Sequence, residues 1–432
     1  MKKLILLFLI PFTMVMADFT LTGQTLTPVN EDETTPVTTS SIPTATRIYA
    51  TTGSAKTNWG FQPFTVPSDS VTVPVGGDIQ AAIDSLPNGG TINLEAGLYR
   101  VQRLDFNSNT VLQGAGKDKT KLKVIDGGTW AMYTSGGHKK DGIKNLIMRD
   151  FELDGNRQGG ATRGGMIFAY GVSNILCENI YLHDIYRNGI NINNSTNSQM
   201  GKHYTFRNIT ARDIGWQPIS LDHLIGVIID NVNIVNAGMA FDFSSVIYGE
   251  VSNVQADLQK FTGYGDTFAE RGGGSINGAK VQGSNYIYVH DTTIKRAILT
   301  GIKIVEGGDP HGKIHMHTEN VTIEDCGEGF IQMGDQTYSR AAQEFVVKNV
   351  KLVDNYWNAD CWNNKWLPVA GCNNQDGMLY SNIRIKGIDN LHEYDDNIGI
   401  TVASAGTILN RVAHHNTTPH VDAVGWSSWG NP

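Results

Sequence analysis

Ten segments of one kind recur along this 432-residue chain, and no other feature restricts its fold as strongly. Each carries Asn or Asp at a shared position, flanked by short runs in which apolar and polar residues alternate, as in "CENIYLHDI", "FRNITARDI" and "IDNVNIVNAG". The shared positions are Asp150, Asn179, Asn208, Asn231, Asn253, Asp291, Asn320, Asn349, Asn382 and Asn410, with spacings from 22 to 38 residues. A period of this size is the mark of a solenoid. One unit, a short strand, a Gly or Asn turn and another strand, cannot bury its own apolar face. Stacking the units in parallel buries a continuous core and pairs each backbone edge with the next. The expectation is an all-β, single-stranded, right-handed parallel β-helix of about ten coils. The repeated polar residue should stack as an internal ladder.

A parallel solenoid needs a cover on its exposed first coil. In "GGDIQAAIDSLPNGGTINLEAGLYRV", Ile79, Ala82, Ile83 and Leu86 share one helical face after Asp78, and "PNGG" stops the helix. This predicts an N-terminal capping helix followed by a strand pair. The segment, with the "NTVLQGAGKDKT" that follows, resembles the start of the pectate-lyase-like β-helix superfamily. The resemblance extends over roughly residues 76–416. It implies the fold and a polysaccharide groove, and leaves the reaction open among lyases, hydrolases, epimerases and tailspikes.

Residues 1–17 have the layout of a signal peptide: Met1-Lys2-Lys3, an apolar run from Leu4 to Met14, then Val15-Met16-Ala17. The apolar run is shorter than the roughly 20 residues that span a membrane. A secreted or periplasmic protein, free of the membrane after cleavage, is expected. Residues 18–47 are rich in Thr, Ser and Pro and read as a linker. The β-helix catalytic domain is assigned to 48–432 with a C-terminal loop region. Cys361 and Cys372 bracket "CWNNKWLPVAGC" and are placed to staple it, whereas Cys177 and Cys326 read as small buried residues. The cysteines have no zinc spacing. The formal charge is −8, and losing Lys2 and Lys3 with the leader leaves −10, a poor balance for nucleic acid. An anionic sugar polymer then requires a local basic strip.

Side chains at equivalent positions of successive coils project side by side, about 4.8 Å apart. About fourteen residues after each ladder position lie Arg163, Asn193-Asn194, Asp222-His223, the run Asp242 to Ser245, Glu306 and Asp335. These form the candidate catalytic strip. Trp216, Tyr186, Trp357, Trp362 and Trp366 are candidates to line it as sugar-stacking aromatics.

"LIMRDFELDGNRQGG" resembles the L-x-LDGN coil of the mannuronan C5-epimerases, which invert mannuronate within alginate. The resemblance maps that family's basic residue to Arg163, its Asp and His to Asp222 and His223, and its later Asp to Asp242. The Pro between the family's Asp and His is absent, and Trp216 stands nearest to where the family has Tyr. A literal "DPH" at Asp309-Pro310-His311 supplies the alternative pair Asp309 and His311.

The chemistry implied is removal of the C5 proton beside a carboxylate. A cation such as Arg163 or Arg187 neutralises the carboxylate, His223 is the base, and Asp222 or Asp242 orients it. Asn193, Trp216, Glu306 and Asp335 complete the binding set. Return of a proton to the opposite face gives epimerisation, and loss of the 4-linked sugar gives a lyase. Tyr170, Tyr186 and Tyr248 are candidates for the second acid. A glycoside hydrolase using Asp222 with Asp242, and a non-catalytic polysaccharide-binding solenoid, are the alternatives. No metal site is assigned. Calcium is left open, and no EF-hand or nonapeptide motif calls for it. Oligomeric state is not readable from the chain.

Overall fold

The computed structural model describes residues 59–136, 142–194, 200–259 and 284–297. It also describes strand segments at 20–21, 24–25, 279–282, 300–305, 315–326, 328–333, 344–348, 351–355, 370–371, 378–388, 396–403 and 407–408. The leader, most of the linker, and Cys361 and Cys372 lie outside the described residues, as do Trp357, Trp362 and Trp366. Within the linker range, Thr20–Leu21 pairs antiparallel with Gln24–Thr25.

From residue 70 to residue 388 each described strand pairs in parallel with the corresponding strand of the next coil. Antiparallel pairing returns where 378–388 meets Asp396–Ala403, and again where Asp396–Ala403 meets Thr407–Ile408. The chain is therefore a parallel β-helix, and its coils present three faces. Face A is built from Met132–Ser135, Met166–Ala169, Ile190–Asn193 and the segments 219–222 and 241–244. Face B holds 146–149, 175–178, 204–207, 227–230 and 249–252. Face C holds 151–154, 180–183, 209–212 and 232–235. The inward positions stack like on like: Met132, Met166, Ile190, Ile219 and Phe241 form one buried column, and Leu146, Ile175, Tyr204 and Val227 another.

The capping helix is present as Ile79–Asp84, with Asp78 Oδ1 accepting from the Ala81 N–H at 3.0 Å. Ile79, Ala82, Ile83 and Leu86 are all buried, as the helical spacing requires. Cys177 and Cys326 are buried free thiols.

The ladder differs from expectation in one respect. Asp150, Asn179, Asn208, Asn231, Asn253, Asp291 and Asn320 all have φ between 49° and 63° and form the corner between faces B and C. Asn and Asp tolerate this left-handed backbone better than other non-glycine residues. Successive side chains bond, as in Asn231 Nδ2 to Asn208 Oδ1 at 2.7 Å. However, Asn208, Asn231 and Asn253 are exposed. The ladder runs along the outside of the corner because the left-handed turn throws the side chain outward, while Phe206 and Ile209 fill the inside.

The segment before the first coil is not a free lead-in. Residues 59–62 run across the coils over the start of face B. Gln62 N–H donates to Asn174 Oδ1 at 2.7 Å, Asn174 Nδ2 returns a bond to the Gln62 carbonyl at 2.8 Å, and Phe61 N–H donates to Thr205 Oγ1 at 2.9 Å. Trp59 stacks on Tyr248 at 5.6 Å, and Tyr248 on Tyr286 at 5.1 Å. Gly226 makes room for this strap: its φ is +75°, and a Cβ there would fall 2.2 Å from the Trp59 carbonyl oxygen. Gly226→Ala is expected to destabilise the fold by at least about 1–2 kcal/mol from the left-handed backbone alone. It should also loosen the strap, which limited proteolysis near residue 60 and a thermal melt would register together.

Candidate active site on face A

The outward residues of face A form two adjacent columns. One runs Tyr133, Ile167, Asn191, Ser220, Asp242, and the other Asn193, Asp222, Ser244. Asn193 and Asp222 are direct neighbours in register, as the fourteen-residue spacing implies. Asp242 is one step off: it pairs with Ser220, so it lies diagonally from Asp222. From the coil rise and a two-residue step, their Cα atoms are about 8 Å apart.

His223 follows Asp222 at the corner between faces A and B with φ +57°. Its Nδ1 meets Asp222 Oδ1 at 2.6 Å, and its side chain is 39% exposed. Among the described residues no partner meets Nε2. With Asp222 accepting from Nδ1–H, the lone pair of Nε2 points away from the protein, which is the arrangement a general base needs. Asp242 is held from beneath by buried Gln217, whose Nε2 donates to Oδ2 at 2.8 Å.

The opposite edge of face A is basic. The Arg187 N–H donates to the Arg163 carbonyl at 3.2 Å, and the Trp216 N–H to the Arg187 carbonyl at 3.1 Å, so the three residues occupy one corner on successive coils. Arg163 lies on the outer coil of the three, and its guanidinium packs over Trp130 at 4.7 Å, toward the preceding coil rather than toward His223. Arg187 is one coil nearer the Asp222 coil. Arg163 and Arg187 are the two cations placed on this edge of face A.

Of the tyrosines, Tyr170 stands on the His223 corner two coils earlier, and its N–H donates to the Asn193 carbonyl at 3.0 Å. Tyr186 precedes Arg187 on the basic edge. Tyr248 belongs elsewhere: it is committed to the Trp59 and Tyr286 stack on the strap side. Glu306, Asp309, His311 and Asp335 lie outside the described residues. Arg103, Trp130, Tyr133 and Gln217 were not anticipated. They fall in or before the first coil, or beneath the strip, and the only trace in the sequence is the W-x-x-Y spacing of Trp130 and Tyr133.

Two other histidines meet carboxylates and differ instructively from His223. His183 places Nδ1 2.8 Å from Asp184 and Nε2 2.8 Å from Glu152. His290 places Nδ1 2.7 Å from Asp291 and Nε2 2.9 Å from Glu250. Each is the third residue of a Y-x-H-D run, and each imidazole is stacked by the Tyr two residues before it. In both rings each nitrogen is engaged by a carboxylate, so neither Nε2 faces open space as that of His223 does.

Asp154, His183 and Asp184 are close enough to share a metal ion. They fit calcium poorly. One donor is an imidazole nitrogen, where calcium takes oxygens. The Lys121 ammonium already lies 3.0 Å from Asp154 and 2.8 Å from Glu152, with Lys123 3.5 Å from Asp154. Burial pushes both carboxyls up, but Lys121 outweighs it and holds both below the usual carboxylate range. The cluster reads as a salt-bridge network.

No family model matches the chain. In sequence it is 38% identical over 92 residues to mannuronan C5-epimerase AlgE3 of Azotobacter vinelandii, a match covering 18% of this chain and 5% of that protein. It is 33% identical over 116 residues to the preneck appendage protein of Bacillus phage PZA, covering 25% of this chain and 13% of that one. The chain therefore spans a small part of the length of these relatives. Among solved structures, endo-xylogalacturonan hydrolase from Aspergillus tubingensis superposes with a TM-score of 0.52 at 17% identity, over 78% of this chain and 99% of that one. The fold shared with that structure is the right-handed parallel β-helix.

The His290 site generates a pH prediction. Burial lowers the affinity of this imidazole for its proton, but the bonds to Glu250 and Asp291 outweigh that and raise its pKa above the ordinary 6.5. Glu319, bonded to Tyr288, also faces it. A pKa raised on folding gives stability that is complete below pH 6.5 and is lost as pH rises through the folded value. His290→Gln should therefore be most destabilising at pH 6 and progressively less so toward pH 9. Urea unfolding across that range checks this, and a constant difference would contradict it.

Proposed function

We propose that the protein is an exported enzyme acting on an acidic, alginate- or pectate-like polysaccharide by abstraction of the C5 proton. The observation carrying this reading is that His223, alone among the three described histidines bonded to carboxylates, has its second nitrogen open, on a face whose opposite edge carries Arg187 and Arg163. The leader-like residues 1–17 support export, and no helix among the described residues is long and apolar enough to cross a membrane.

In this reading the polymer lies along face A, one sugar per coil. The proton at C5 passes to His223 Nε2, and the electron pair of the C–H bond delocalises into the adjacent carboxylate. The cationic edge, Arg187 foremost with Arg163 beyond it, stabilises that charge. Asp222 fixes the imidazole and supports the positive charge it acquires. Asn193, Trp216 and Asp242 with its Gln217 support shape the site around the ring. Return of a proton to the other face of C5 inverts the sugar. Loss of the C4 oxygen substituent instead leaves a C4–C5 double bond. Tyr170 and Tyr186, flanking the face, are the candidates for the second acid.

A second reading is supported by the diagonal placement of Asp222 and Asp242. Two carboxyls ~6.5–9.5 Å apart suit an inverting glycoside hydrolase, and the Cα separation of about 8 Å permits it.

The test uses polymannuronate and polygalacturonate. Absorbance at 235 nm reports lyase double bonds, proton NMR reports epimerisation, and new reducing ends without either signal favour the hydrolase. Binding without change would leave a non-catalytic solenoid. His223→Ala should lower turnover by about 10²–10⁴-fold, the usual worth of a general base, with an unchanged melting temperature. Undiminished activity would discard this site and direct attention to Asp309 and His311.

A further inference from the structure

We infer that Asn191, seconded by Ser220, reads the hydroxyls of the sugar lying beside Asp222 and His223, so that face A selects uronate rings whose hydroxyls are unsubstituted. The inference rests on the polyuronate reading above and extends it from the carboxylate to the rest of the ring.

Asn191 and Ser220 stand on the floor of face A. Their sequence neighbours Ile190, Ile192, Ile219 and Leu221 are all buried in the core. The alternation of the strand then turns Asn191 and Ser220 outward, and both are half-buried. They pair with each other in register, and the same column reaches Asp242 on the next coil. Asn191 thus lies diagonally from Asp222 on one side as Asp242 does on the other, with Cα atoms about 8 Å apart. Arg187, on the cationic edge, is four residues before Asn191 on the same coil.

Face B shows how this chain disposes of outward polar groups that are not needed. There Gln113 Oε1 accepts from Arg149 Nε at 3.0 Å and Nη2 at 2.5 Å. The Ser252 hydroxyl donates to Asp230 at 2.7 Å, and the Thr205 hydroxyl accepts the Phe61 N–H at 2.9 Å. The corner asparagines bond one another, as Asn145 to Asn109 and Asn174 to Asn145, each at 2.7 Å. Among the described residues neither the Asn191 amide nor the Ser220 hydroxyl has a hydrogen-bond partner.

An amide offers two N–H donors and a carbonyl acceptor without charge. That is the complement of a pair of sugar hydroxyls, each of which both donates and accepts. A carboxylate at this place would repel a uronate, and an ammonium would compete with Arg187 for the carboxyl group. The labour is then divided by chemistry: the cationic edge takes the carboxylate, the His223 corner takes the proton, and the neutral floor takes the hydroxyls. A site built to hydrogen-bond a hydroxyl rejects an analogue that lacks it, because its own polar groups are left unpaired. The column is apolar one coil earlier, at Ile167, so this polar floor begins at Asn191.

The experiment is titration calorimetry on the full chain carrying His223→Ala, which removes the proposed base. The probes are a short oligouronate and the same oligomer with its hydroxyls converted to methyl ethers and its carboxylates intact. The parent should bind the free-hydroxyl oligomer more than about tenfold more tightly. Asn191→Ala should weaken that oligomer about fivefold, the scale of one neutral hydrogen bond, and leave the methyl ether unchanged. Ser220→Ala, which removes a single oxygen, should act in the same direction and carries the test if the Asn191→Ala chain melts early. Unaltered affinity of the Asn191→Ala and Ser220→Ala chains for the free-hydroxyl oligomer would overturn the inference alone, as would equal losses on the two oligomers. If the parent binds neither oligomer, the polyuronate reading falls and takes the inference with it.

Discussion

Parallel register is the constraint on which the rest of this molecule depends. Each strand sits about 4.8 Å from its counterpart in the next coil, and the pairing is residue on residue from Leu112 to Met148, Cys177, Phe206, Ile229 and Val251. A slip of one residue would turn every inward side chain out. Register therefore dictates like-on-like stacking: apolar columns inside, an Asn and Asp column along one corner, and chemistry-bearing columns on the outer faces. Functional groups far apart in sequence, such as Asn193, Asp222 and Asp242, become neighbours only through this alignment.

The same constraint explains how the chain tolerates its outward charges. On face B, Arg149, Glu178 and Arg207 alternate in sign along one column, with Glu178 meeting Arg207 at 2.5 Å and Arg149 at 3.7 Å. Exposed pairs of this kind contribute little individually, but stacked coils place their outer side chains so close that like charges would repel. The Y-x-H-D runs solve a related problem. At 181–184 and 288–291 an imidazole set between two carboxylates separates acids that would otherwise crowd one corner. Face A departs from this pattern. Its arginines lie along an edge, stacked or spaced, and its histidine contacts a single acid. The contrast between His223 and the doubly bonded histidines is what the proposed use of face A rests on.

Much of this was legible in the sequence, for a physical reason. A left-handed corner favours Asn and Asp, so the corner column appears as a repeat from Asp150 onward, and the fold follows from it. The amphipathic 79–86 segment and its Asp78 cap are equally local signals. The direction of the ladder was misread, because repetition reveals stacking and not which way a side chain leaves a turn. Fourteen-residue spacing brought out Asn193, Asp222 and His223, and in the next coil the run Asp242 to Ser245, within which Ser244 holds the register of Asp222 and Asp242 that of Ser220. Trp130, Tyr133 and Arg103 precede the first Asn corner and so carry no periodic mark. Gln217 under Asp242, and the strap from Trp59 over Gly226, are tertiary contacts that no local pattern encodes.

The central claim is that register leaves His223, unlike His183 and His290, with one nitrogen tied to an acid and the other open. Nitrogen-15 NMR of the imidazole rings at neutral pH, with signals assigned by His→Gln substitution, tests it directly. The account predicts that neutral His223 carries its proton on Nδ1 and has a bare Nε2, whereas both nitrogens of His290 are hydrogen-bonded to carboxylates. A neutral His223 with its proton on Nε2 would contradict it.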